Sequence, residues 1–277
     1  METTLIQQTR LCRLVFACIL GSLLYALFSH TLLHQLQGPV LKYPYADPSY
    51  WVLVLTGIPS FLAGHYGAAL AFDVCLLGSC VLVLVFPERR WLVVVFFVLY
   101  SVYFFTYNIY GNWHTGSKAG VLVAPVPFMT RDKRRFGMLW EGLRYFTLFI
   151  YTDAFLWKLF RVSWLHADQG VLIVRENLAA YLYHHPSTLQ ARCYYWFLAH
   201  PQLVNWLFRL GWIAEGIFIV GFFTRKYDKL LLVLSLLLPF GFFFFADAFF
   251  FELYVLCLTL VDWKPRHSDR SPIAAVL

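Results

Sequence analysis

The residues able to do chemistry in this chain are few and unevenly placed. The stretch FLWKLFRVSWLHADQG, residues 155–170, begins at the end of an apolar run and then presents Lys158, Arg161, His166 and Asp168. Asp153 precedes Lys158 by five positions. That is one more than the best same-face helical spacing, so contact between them requires a bent or ending helix. A Lys–Asp couple in a partly dry cavity suits a lysine acting as a base. His114 and Lys118, beside Trp113 in NWHTGSK, share one face if that segment is helical. Such a pair can hold an anionic or quinone carbonyl oxygen, or it is an ordinary interfacial cluster. Glu215 lies in the interior of GWIAEGIFIVGFF and needs a partner or a bound proton there. Asp73, Asp247 and Glu252 also fall inside or at the edge of apolar runs. Each has the competing reading of a helix-end or packing charge. His184 and His185 are adjacent and point apart on a helix, so with His166 and His200 they make a weak metal candidate, and no metal is expected. No HExxH, GxSxG, phosphate-loop or dinucleotide pattern occurs.

The elements that must position these residues are membrane helices. Of 277 residues 60% are hydrophobic and only 13% charged, against about a quarter in soluble domains. The mean hydropathy is +0.64. The net charge of +7 sits in short clusters beside apolar runs, such as ERR at 88–90 and RDKRR at 131–135. That is the pattern of topology signals and anionic headgroup contact rather than of nucleic-acid binding. Cys12, Cys18, Cys75, Cys80, Cys193 and Cys257 include no CxxC pair and lie mostly within apolar runs, as small hydrophobes.

Hydropathy predicts spans at about 12–33, 66–86, 91–110, 136–157 and 203–223. The run 230–261 would measure about 48 Å as one helix, so it reads as two helices turning near 246–248. VLVLTGIPSFL reads as a short interfacial helix, and VLIVRENLAAYLY as an amphipathic one. Arg10, Arg13, Arg89, Arg90, RDKRR, TRKYDK and the terminal basic residues all call for the inner side, which leaves 158–200 outside. One difficulty follows. A single crossing after Arg90 delivers Gly111 outside, yet RDKRR calls for the inside. Either GVLVAPVPFM completes a broken crossing or a span is miscounted. The expected fold is thus an all-α polytopic bundle of seven or eight crossings. It has a polar tail at 1–11, a membrane domain at 12–262 and a second tail at 263–277. The expected location is a multi-pass position in a bacterial inner membrane.

The order of an apolar helix, Lys158–Leu159, Trp164–Leu165 and Gly170 resembles the HTTM family, the membrane domain shared with vitamin K-dependent gamma-carboxylases. The resemblance runs from about residue 10 to 262. It implies Lys158 as the base that deprotonates a hydroquinone, and His114 with Lys118 and Glu215 match a histidine with a lysine and an acidic residue of the family; on the enzymatic expectation Asp153 and His114 stand beside Lys158. Lys118, Glu215, Trp113 and Trp164 would then line a cavity for a quinone or other isoprenoid lipid. Arg10 or Arg13 matches an arginine near the family's first span. Two features depart from the pattern: FRVS fills the gap before Trp164 and HADQ precedes Gly170. The chain also stops at Leu277, with no counterpart of the carboxylases' long lumenal region, so a complete glutamate carboxylase is not expected. DoxX-like membrane proteins are the second resemblance. The competing expectation is a non-enzymatic component: a complex subunit, assembly factor or transport accessory that contacts lipids and a protein partner. The enzymatic expectation requires Lys158, Asp153, His114 and Glu215 to converge in one pocket on the outer side.

Overall fold

The computed structural model describes residues 5–36, 48–110, 119–246 and 250–263. Among these every regular element is helical. The longer helices are α1 (Leu5–Phe28), α4 (Tyr66–Val85), α5 (Arg90–Tyr110), α7 (Lys133–Phe160), α11 (Pro201–Ile217) and α12 (Asp228–Ala246). The shorter ones are α2 (Pro48–Leu55), α3 (Ile58–Gly64), α6 (Ala119–Val123), α8 (Gln169–Asn177), α9 (Ala179–His184), α10 (Leu189–Ala199) and α13 (Phe251–Cys257). Tightened 3₁₀ turns extend α11 to Phe222 and α13 to Leu260, and another spans Val126–Met129.

Five helices, α1, α4, α5, α11 with its extension and α12, are long and apolar enough to cross a membrane. They turn large apolar side chains outward: Val74 is 60% exposed, Leu237 59% and Phe240 60%. Surface of that kind is costly in water at about 25 cal/mol per Å² and neutral against lipid tails. The protein is therefore an integral, multi-pass membrane protein. The sixth long helix, α7, carries too many charges for that composition. Its interior charges, Arg144 and Lys158, are instead ion-paired within the bundle.

Side-chain contacts fix the directions. On α4, Cys80 Sγ reaches the carbonyl of Phe16 and Asp73 reaches His34, so α1 and α4 are antiparallel. Phe16 meets Phe96 edge-on, and Tyr103 Oη donates to Thr31 O at 3.1 Å, so α5 runs parallel to α1. Helix α11 returns along α7: Phe218 stacks on Tyr151 at 4.1 Å and Phe222 on Tyr145 at 5.9 Å. Helices α7 and α12 are parallel and in register. Arg144 bonds Asp228, Tyr151 Oη donates to Ser235 O, and Lys158 lies over the Phe242 ring.

The run 230–261 does divide into two helices, and α12 continues through Pro239. A proline inside a helix frees the carbonyl four residues earlier, here that of Ser235. Tyr151 Oη donates to that carbonyl at 3.2 Å and Cys257 Sγ at 3.4 Å, so it remains satisfied inside the bundle.

Of the segment 110–131, residues 119–131 are described. Helix α6 and the turn Val126–Met129 form a half-length segment that packs on α5, and α6 also packs on α13, itself half-length. Val121, Ala124, Val255 and Leu256 are fully enclosed there. Cys12, Pro87, Arg90, Phe128, Arg131 and Phe136 line one cavity, so RDKRR shares a face with the start of α1 and with the α4–α5 turn. The helix of the first span begins at Leu5, inside the expected polar tail. The segment VLVLTGIPSFL is split into α2 and α3 at Gly57, whose φ of +74° suits a residue without a side chain.

Candidate functional site

Lys158 stands in the last turn of α7 and Glu215 in the interior of α11. The ammonium of Lys158 donates to both carboxylate oxygens of Glu215. Glu215 is 1% exposed and the Lys158 side chain 26%. A carboxylate at that depth carries a large desolvation cost unless a cation meets it. Aromatic groups enclose the pair. Phe155 stacks on Trp212 at 4.9 Å, and Trp212 Nε1 donates to Phe155 O at 3.2 Å. The Phe242 ring lies 5.5 Å from Lys158 Nζ. Gly216 permits this packing, because a Cβ there would lie 2.9 Å from the Phe155 ring. Two of the three ammonium N–H groups are directed at Glu215, and the third remains for a group approaching from the exposed side. The arrangement can donate a hydrogen bond to a carbonyl or oxyanion, and can pass a proton between an incoming group and a carboxylate that is otherwise dry.

Of the other expected members, Asp153 and Trp164 fall within the described residues. Asp153 is exposed on α7, roughly 140° around the helix from Lys158 at 3.6 residues per turn. It makes no ion pair with any described residue. Trp164 belongs to the short 3₁₀ turn Ser163–Leu165 that follows α7. His114, Lys118, Trp113 and Asp247 lie outside the described residues. Arg161 covers the Trp157 ring at 4.3 Å on the exposed end of α7. Gly170 has a packing reason: a Cβ there would sit 2.8 Å from Val204 O, so the glycine lets α8 rest on α11. Val171 N then donates to Asn205 Oδ1 at 3.1 Å.

Two further polar centres lie within the bundle, around Arg144 and Asp73. Arg144 is 2% exposed and makes bonds of 3.0 and 2.6 Å to Asp228, with a third of 3.0 Å to Gly221 O. Glu141 lies 3.5 Å away and also pairs with Arg225. An arginine inside the apolar run 136–157 was the available signal. Asp73 accepts from His34 N at 2.9 Å and Leu33 N at 3.4 Å, and bonds His34 Nδ1 at 2.8 Å. It thereby ties the chain after α1 to α4. Among the described residues no three His, Cys, Asp or Glu side chains are grouped to hold a metal ion.

Comparison with known proteins finds no matching family model, no matching curated protein and no matching solved structure.

Proposed function

We propose that this membrane protein binds the carbonyl or hydroxyl head of a quinone-like isoprenoid lipid at Lys158–Glu215. The observation that carries the reading is the asymmetric exposure of the pair. Glu215 is sealed, while Lys158 keeps an open edge beneath aromatic rings. A buried carboxylate behind a partly exposed ammonium suits a ligand oxygen that changes charge, because the proton has a nearby acceptor. Phe155, Trp212 and Phe242 offer flat apolar surfaces of the kind that ligand sites use for rings. Taking α7 as a crossing and each half-length segment as part of a broken one, we read eight crossings, which sets Leu5 and Trp263 on the basic face and Lys158 on the other. The HTTM resemblance at Lys158, Leu159 and Gly170 agrees with this reading without extending it to a glutamate carboxylase.

The test is mass spectrometry of lipids retained by the purified protein, compared with Lys158→Met. Enrichment of an isoprenoid quinone that disappears in the variant supports the reading; equal recovery of bulk phospholipid from both opposes it.

A second reading rests on the engagement of both Glu215 oxygens by Lys158. In that case the pair is a clamp between α7 and α11 within a non-enzymatic membrane component. The double variant Lys158→Met/Glu215→Leu would then support growth and assembly as the native chain does.

A further inference from the structure

At the opposite end of α7 from Lys158, the described residues line an open cavity of about 460 Å³ between the start of α1, the α4–α5 turn and the segment 128–136. That volume falls in the range of small-molecule sites. Its lining is divided by chemistry. Phe128, Phe136 and Pro87 supply apolar surface, whereas Arg90, Arg131, Thr9 and Thr130 supply donors. Arg90 Nη1 is buried and has no hydrogen-bond partner. A guanidinium N–H hidden from water without an acceptor is costly, and few such groups persist without a role. Glu88 also lines the cavity, so two arginines against one carboxylate leave one net positive charge. The amino end of α5, which opens at Arg90, adds a field of the same sign.

We propose that this cavity binds a singly charged phosphodiester, with the phosphate between Arg90 and Arg131 and its apolar substituent against Phe128 and Phe136. The single net charge matches a phosphodiester better than a doubly charged phosphate monoester. The mixed lining matches an amphiphile. The headgroup of an anionic phospholipid on the basic face carries that chemistry, and a soluble phosphate shares part of it. This inference is independent of the Lys158–Glu215 reading.

The experiment is native mass spectrometry and thermal unfolding of the full chain in neutral detergent, titrated with phosphatidylglycerol, phosphatidylcholine or inorganic phosphate. Phosphatidylglycerol is expected to bind and to raise the unfolding temperature, with phosphatidylcholine weaker by roughly tenfold. Arg90→Met and Arg131→Gln should each weaken phosphatidylglycerol by about tenfold or more, while Arg134→Gln/Arg135→Gln, exposed and outside the lining, should change it by less than about twofold. Without ligand, Arg90→Met should unfold at the native temperature or above it, because it removes the unpartnered buried nitrogen. If that variant does not fold, the exposed Arg131→Gln carries the comparison alone. Inorganic phosphate matching phosphatidylglycerol would assign the site to a soluble anion and overturn the lipid assignment. Undiminished binding by the Arg90 and Arg131 variants, or equal loss in the Arg134/Arg135 variant, would overturn the site itself.

Discussion

Glu215 holds the ammonium of Lys158 with both of its oxygens across 57 positions of sequence, and only the lysine reaches the surface. Removing one partner and removing both are therefore different experiments. Glu215→Leu leaves a cation facing an apolar wall and should destabilise toward the lower end of about 3–5 kcal/mol, since Lys158 can still turn to solvent. Lys158→Met/Glu215→Leu should recover most of that loss. Thermal unfolding followed by tryptophan fluorescence reads both, and additive losses would rule out a coupled pair.

The carbonyl of Ser235 links Pro239, Tyr151 and Cys257. Tyr151→Phe should cost about 1–2 kcal/mol, because that carbonyl loses its hydroxyl donor. In a Pro239→Ala background the restored amide at 239 can donate to it, and the cost of Tyr151→Phe should fall. A double-mutant cycle measures the difference. An equal cost in both backgrounds would separate Tyr151 from the proline.

Gly221 is closed in by Leu148 and Leu231, whose methyl groups would lie 2.5 and 2.8 Å from a Cβ, and its carbonyl accepts from Arg144. Gly221→Ala should destabilise by about 1–3 kcal/mol through overpacking. Gly211→Ala, with nothing within 4 Å of its Cβ, should be neutral or stabilising. The contrast checks the packing, because both changes are otherwise the same chemistry.

Val162 follows α7 at φ 57°, a left-handed conformation rare for a β-branched residue. The Cβ penalty there is roughly 1–2 kcal/mol. A glycine would remove it at a cost of roughly 0.5–1 kcal/mol in chain entropy. Val162→Gly is therefore expected to raise the unfolding temperature slightly. A decrease would mean that the valine side chain contributes more than its strain takes away.

The long apolar helices were readable from hydropathy alone. The spans expected at 66–86, 91–110 and 203–223 correspond to Tyr66–Val85, Arg90–Tyr110 and Pro201–Phe222. Half-length α6 and α13 were harder to read, because a short apolar segment enclosed on all sides has the composition of a loop edge as much as of a helix. Lys158 and Glu215 each stood out as ionisable groups beside or inside apolar runs, but their partnership is tertiary. Spacing along α7 drew Asp153 toward Lys158, although five positions turn it to another side of the helix. Arg144 was hidden by its surroundings: its acceptors, Asp228 and the Gly221 carbonyl, arrive from beyond the next helix. Nothing in the local sequence around Pro239 reveals that Tyr151 and Cys257 supply donors to the carbonyl it frees.

The register between α7 and α12 has a mechanical meaning. Arg144 with Asp228, Tyr151 with Ser235 and Lys158 with Phe242 all share an offset of 84 positions and recur every seven residues. They act like the teeth of a clutch. Sliding α12 by one residue disengages an ion pair, a hydrogen bond and a cation–ring contact together, and α12 presents the same face to α7 again only after a full turn, about 5.4 Å. Partial slip has no intermediate stop. The two helices travel as one body, and a conformational change in this protein has to pass through other joints.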